Sequence, residues 1–118
     1  MNPALPPTPA PAWLMSGADY RESRRALKPL VYVDGRRVDS VADDPQLQPG
    51  VNALAVSYDF ARDEAQAPLM RAVQTQRGRT VNRMLQINES VGDLLNKLEA
   101  VRLLCQETGC AQRYLVHD

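Results

Sequence analysis

The sequence predicts a mainly α fold carrying one small β-hairpin, and three observations point to it. Ser16 and Ser90 each open a capping-box pattern, with an aspartate three residues on at Asp19 and Asp93. Val91, Leu94, Leu95, Leu98, Val101, Leu104 and Cys105 trace a broad apolar stripe at helical spacing. Val31-Tyr32-Val33 and Arg36-Arg37-Val38 flank Asp34-Gly35, the signal of a two-residue hairpin turn.

Taken in order, the chain opens on five of its nine prolines within residues 1–12. Lost amide donors and a fixed φ exclude helix and ladder there, so residues 1–15 read as an extended, disordered tail. Trp13, Leu14 and Met15 would anchor that tail on a partner surface or tether it to the first helix. The capping box at Ser16 starts a helix over Gly17–Leu27, and Pro29 forces its predecessor out of the α region and ends it. After the hairpin, Pro45 and Pro49 punctuate a loop. Val51, Leu54, Ala55 and Tyr58 then recur at helical spacing, giving a second helix over Pro49–Arg62. Ala67-Pro68-Leu69-Met70 can start a short third helix, while Arg79–Met84, just after Gly78, alternates loosely and reads as extended. The last clear helix covers Val91–Glu107, with Gly109 as a left-handed stop. Cys110–Asp118 would open one more helix, so the sequence reads as cut short before a further layer of structure.

Composition removes several function classes. Fourteen basic and fourteen acidic side chains cancel over 118 residues, so no long-range field draws the chain to nucleic acid or an anionic membrane. The pairs Arg24–Arg25 and Arg36–Arg37 stand beside Glu22, Asp34 and Asp39 and read as solvated surface. Apolar runs are far shorter than the ~20 residues of a membrane helix. Cys105 and Cys110 are too few and too close for a disulfide framework. A cytoplasmic protein is the expectation.

The residues supply no complete catalytic group. His117 is the single histidine and sits beside the last residue, where the bland reading is a solvated side chain. Cys105 and Cys110 lack partners at metal-ligand spacing and read as small apolar fillers of a buried stripe. The six glycines stand singly, so no phosphate-binding fingerprint exists.

Several phrases, in order, resemble the N-terminal region of the 4-hydroxyphenylacetate 3-hydroxylase family, which also includes 4-hydroxybutyryl-CoA dehydratase. They are Ser16–Ser23, Val31–Val38, Asp44-Pro45, Pro49–Phe60, Leu69-Met70, Gly78–Arg83, Asp93–Leu98, Arg102–Leu104 and Thr108–Arg113. The likeness runs from about Ser16 to Asp118. It implies the N-terminal helical domain of an acyl-CoA-dehydrogenase-like fold, with 16–118 as an incomplete domain truncated before the β-barrel. It further implies FAD, a homo-oligomeric assembly with the missing barrel and bundle domains or a full-length relative, and a separate flavin reductase. The flavin would do the hard chemistry while the protein binds and orients.

The hydroxylase branch places an Arg and, four residues later, a Tyr against the phenol. Arg113 matches the first and His117 stands at the second, which makes both substrate-binding candidates and His117 the catalytic one. The dehydratase branch places two cysteines of an iron–sulfur cluster four apart in the same segment. Cys110 matches one, but Tyr114 stands at the other. On that residue the expected function is part of an FAD-dependent phenol ortho-hydroxylase, inactive alone. The alternative is a non-enzymatic remnant or interaction protein that associates through its apolar helix face.

Overall fold

A computed structural model describes residues 10–111. The elements are α1 (Gly17–Ala26), β1 (Tyr32–Val33), β2 (Arg36–Arg37), α2 (Gln48–Arg62), α3 (Ala67–Met70), β3 (Arg71–Gln74), β4 (Arg79–Asn82), a 3-10 turn (Arg83–Leu85) and α4 (Val91–Thr108). The chain is mainly helical, as expected, with a second antiparallel hairpin in addition to the first.

Local chemistry sets the boundaries of α1 and α4. Asp19 N–H donates to Ser16 Oγ at 3.1 Å while Ser16 N–H donates to Asp19 Oδ2 at 3.0 Å, a complete capping box. At α4, Asp93 N–H donates to Ser90 Oγ at 3.1 Å, and Asp93 Oδ2 accepts from Glu89 N–H at 2.9 Å, so the aspartate reaches one residue beyond the cap. In the first hairpin Asp34 and Gly35 sit at φ 51° and 76°. Two left-handed residues in succession give the turn whose twist matches its strands.

The second hairpin was half legible. Residues 79–82 are extended, but they pair with Arg71–Gln74, which carried no strand signal, in the register Arg71↔Asn82 to Gln74↔Arg79. Its turn uses Gly78 at φ 58° rather than an Asp-Gly pair. Residues 83 and 84 leave the strand because Asn82 turns its side chain to accept Met84 N–H at 3.0 Å, capping the 3-10 turn.

Two apolar clusters hold these pieces. Leu14, Ala61, Met70, Met84, Ala100 and Leu104 form the larger, between α2, α3, the 3-10 turn and α4. Tyr20, Ala42, Val51 and Ala55 form the smaller, between α1 and α2, where the Tyr20 and Tyr58 rings stack 4.7 Å apart. Fully buried alanines at 55, 61 and 100 let backbones approach closely. Arginines close the helix ends: Arg71 donates to the carbonyls of Ala61 and Arg62 at 2.6 and 3.0 Å, and Arg83 donates to those of Leu69 and Arg71. The Ala61 and Arg62 carbonyls lie in the last turn of α2, where a helix leaves its carbonyls without partners, so the Arg71 guanidinium fork satisfies them and complements the helix dipole.

Residues 10–15 pack on the domain. Leu14 lies in the larger core, Arg62 donates to its carbonyl at 2.5 Å, and Trp13 Nε1–H donates to Thr80 O at 3.0 Å beneath the Arg79 guanidinium. The expected extended tail over 1–15 is thus corrected for residues 10–15, which dock on α2, β4 and the larger core rather than merely leading into the first helix; residues 1–9 lie outside the described residues. No helix among the described residues is long and apolar enough to cross a membrane.

Candidate functional site

Arg113 and His117, the expected substrate-facing pair, lie outside the described residues, as does Tyr114. The structure describes the approach to them. α4 ends at Gly109, φ 63°, whose N–H donates to the Cys105 carbonyl, and Cys110 N–H donates to the same oxygen at 2.9 Å. Cys110 is itself left-handed at φ 66°. Two such residues in succession swing the chain off the helix axis, so Cys110 belongs to a turn rather than opening the helix expected over 110–118. The expectation of two buried fillers is thereby corrected for Cys110. It is exposed, whereas Cys105 is half-buried on α4.

The donor set decides what this chain can hold. An iron–sulfur cluster takes four protein ligands, mostly thiolates, and the sequence contains two cysteines and one histidine. Among the described residues no three His, Cys, Asp or Glu side chains gather at metal-binding distance. These residues do not fit as the holder of a cluster.

A shallow concavity beside the first hairpin is lined by Val33, Asp34, Arg36, Pro45 and Gln46. Its guanidinium is engaged, with Arg36 Nη2 donating to Asp44 Oδ2 at 2.7 Å, and that bond holds the Asp44 carboxyl below its ordinary range. Gln46 leans toward Asp34 Oδ2 at 3.4 Å. A diphosphate would meet carboxylates there and no uncommitted cation among the lining residues, so the concavity does not fit FAD.

A buried polar cluster escaped the sequence reading. Lys97 is wholly buried on the inner face of α4 and donates from Nζ to the Gln86 carbonyl at 2.5 Å. Arg83, also buried, donates to Gln86 Oε1 at 3.2 Å. Burial pushes the Lys97 ammonium below its ordinary value, the Arg83 charge adds to this, and Asp93 opposes it. The Arg83 guanidinium is likewise lowered by burial, again against Asp93. Both cations are directed at protein oxygens, so the cluster fastens residues 83–86 to α4 and offers no open coordination to a ligand. Lysine at a buried helical position looks like surface in a sequence; the only hint was its place between Asp93, Leu94, Val101 and Leu104 on the helical wheel.

With this geometry in hand, comparison with known proteins defines the class. The family model described as the 4-hydroxyphenylacetate 3-hydroxylase N-terminal region matches residues 16–118, and the chain belongs to that family. Within it, the chain is 37% identical over 106 residues to 4-hydroxybutyryl-CoA dehydratase/vinylacetyl-CoA-Δ-isomerase of Clostridium aminobutyricum, an alignment covering 89% of this chain and 22% of that protein. The structure of an oxygen-tolerant archaeal 4-hydroxybutyryl-CoA dehydratase from N. maritimus matches with a TM-score of 0.75 and 40% identity, over 85% of this chain and 20% of the other. The described architecture is thus the N-terminal helical domain of an acyl-CoA-dehydrogenase-like fold, and the chain spans about a fifth of the length of these relatives.

These relatives overturn the preference for the hydroxylase branch. Phenol ortho-hydroxylation, and with it the monooxygenase and aromatic-catabolism assignments, is unsupported, because the matched proteins are dehydratases at 37 and 40% identity. The preference had rested on one position, Tyr114, where a second cluster thiolate was expected. One ligand position reports whether a cluster is held; similarity distributed over 106 residues reports descent, and the two need not agree.

Proposed function

We propose that this chain supplies the N-terminal helical domain of a flavoprotein of the 4-hydroxybutyryl-CoA dehydratase type, acting on a short hydroxyacyl-CoA thioester. The observation that carries the reading is the 37% identity to the Clostridium enzyme over 89% of the chain. FAD would be held by polypeptide equivalent to the other four-fifths of the relatives, since the concavity described above does not suit it. The working unit runs over 16–118, with residues 10–15 strapped onto it.

Within that assembly Arg113 and His117 are the substrate-facing candidates. Loss of water from a hydroxyacyl thioester removes a proton and a hydroxide, so a group that exchanges protons near neutrality is needed beside the acyl chain. Imidazole is the side chain suited to that, and a guanidinium is suited to the thioester's phosphates. Where the family resemblance implies a second cluster thiolate this chain has Tyr114, which leaves proton transfer and binding as the contribution proposed for it.

The test is a hybrid in which residues 16–118 replace the matched fifth of the N. maritimus dehydratase. Elimination of water from 4-hydroxybutyryl-CoA, followed by separation of the thioesters, is expected in the hybrid and is expected to fall at least ~100-fold in His117→Ala. A hybrid that assembles with its flavin yet leaves the thioester untouched would sink the proposal.

A further inference from the structure

Cys105 and Cys110 are the two cysteines of the chain, and the way α4 ends draws them toward each other. The Cys105 carbonyl accepts from Gly109 N–H and, at 2.9 Å, from Cys110 N–H. The second bond is the six-to-one bond of a Schellman turn, which folds the residue after the left-handed glycine back over the residue five positions earlier. Five residues along a continuing helix, the two Cα atoms would stand about 8.6 Å apart, too far for a disulfide. Standard bond lengths on either side of the observed hydrogen bond instead hold them within about 6.7 Å, inside the roughly 4.4–6.8 Å that a disulfide spans. Side chains at these two positions of the turn commonly touch. Cys110 is exposed and Cys105 half-buried, so a small oxidant reaches the first and the second lies behind it. Cys110 also sits at φ 66°, which a residue with a side chain adopts reluctantly, so the turn gains from a covalent tie.

We propose that Cys105 and Cys110 are a reversible dithiol–disulfide pair, a redox latch on the turn that ends α4. The misfit with a cluster supports this: Tyr114 stands where a second cluster thiolate was expected, and the turn offers Cys110 a different sulfur, that of Cys105. The oxidant is a low-molecular-weight disulfide such as oxidised glutathione. Cys110, as thiolate, attacks one of its sulfurs, forming a mixed disulfide and expelling one glutathione thiolate. Cys105, after giving its proton to water, attacks the Cys110 sulfur, closes the internal bond and expels nothing further than the second glutathione thiolate. Two protein thiols are oxidised by two electrons and one glutathione disulfide is reduced to two thiols. The closed loop is short and constrains little of the unfolded chain, which suits a switch rather than a structural staple. Cys110 precedes Arg113 by three residues and His117 by seven, so the latch fixes the point from which that segment departs. It does not depend on which reaction the assembled protein performs.

The test equilibrates the 118-residue chain with reduced and oxidised glutathione at several ratios, blocks remaining thiols with N-ethylmaleimide, and weighs the products by intact mass. Both thiols are expected to disappear together within a single chain, with the internal link outnumbering the mixed disulfide by on the order of 10-fold. Proteolysis after Glu107 cuts between the two cysteines, and the two fragments should stay joined until a reductant is added. Cys105→Ser should stop at the mixed disulfide on Cys110. Gly109→Val, which the left-handed φ of 63° resists, and wild-type chain in denaturant should each form the internal link about 10-fold less readily, because the turn no longer preorganises it. Amide exchange at Cys110 N–H should slow on oxidation by on the order of 10-fold, as opening of the turn is suppressed. A mixed disulfide that persists in the wild-type chain overturns the proposal, as does a link between two chains, a link formed equally well in denaturant, or faster exchange at Cys110 once oxidised.

Discussion

Gly17→Ala probes the contact that positions α1 on α2. Gly17 N–H donates to Asp59 Oδ1 at 2.7 Å, and a Cβ at position 17 would lie 2.5 Å from Asp59 Oδ2 and 2.9 Å from its Cγ. The carboxylate would have to swing away, and the hydrogen bond would go with it. A bond to a charged acceptor contributes about 1.5–3 kcal/mol, and the low end applies because Asp59 is exposed. Alanine recovers up to about 0.5–1 kcal/mol over glycine in a helix, and less in the first turn. The net expectation is a loss of about 1 kcal/mol, a fall in Tm of roughly 4 °C for a domain of this size. Gly92→Ala is the control. It also lies in the first turn of a helix, but its added Cβ meets only Ser90 Oγ, at an ordinary 3.6 Å, so it should be neutral or slightly stabilising. Urea denaturation of Gly17→Ala, Asp59→Ala and the double variant, all at one low protein concentration, closes a cycle. Once Asp59 is gone, the alanine should cost nothing. Additive losses in the double variant would refute the reasoning, since they would mean that the two residues act separately.

Leu104→Ala, at a fully buried position of the larger core, should lose about 2–5 kcal/mol by urea unfolding, the range for emptying a close-packed site. The Asp43 carboxyl is held at about 2 by hydrogen bonds from Arg25 and then Ser40. Because its folded value lies below the unfolded one, its contribution is present above pH ~4 and fades as pH falls toward 2. A carboxyl-carbon NMR titration should follow this, with Arg25→Gln returning the midpoint toward the ordinary aspartate value. Lys97 behaves in the opposite sense to an ion-paired lysine. Burial lowers its folded value, the folded chain binds fewer protons than the unfolded one, and stability should climb as pH rises toward the ordinary lysine value of about 10.4. Lys97→Met should flatten that climb, and a slope that survives the substitution would exonerate Lys97.

Local rules made α1, the first hairpin, α2, α3 and α4 readable from the sequence, because capping boxes, an Asp-Gly turn and helical periodicity act within a few residues of where they are written. The same is true of family membership, which rests on ordered phrases along most of the chain. Strand β3 was not readable. Arg71–Gln74 has no alternation of its own and is extended because β4 pairs with it and Arg71 reaches back to cap α2. Neither was the destination of Leu14, whose burial depends on α2, α3 and α4 being assembled around it. Lys97 shows the limit most clearly. Its type says solvent, and only the packing of α4 over Met84 and the carbonyl of Gln86 turns it inward. The sequence by itself determined which segments become helices, where they stop and to which family they belong, since those depend on neighbours along the chain. Tertiary structure alone decided which polar groups are buried and which face of α4 is left bare, because both depend on residues brought together across dozens of positions.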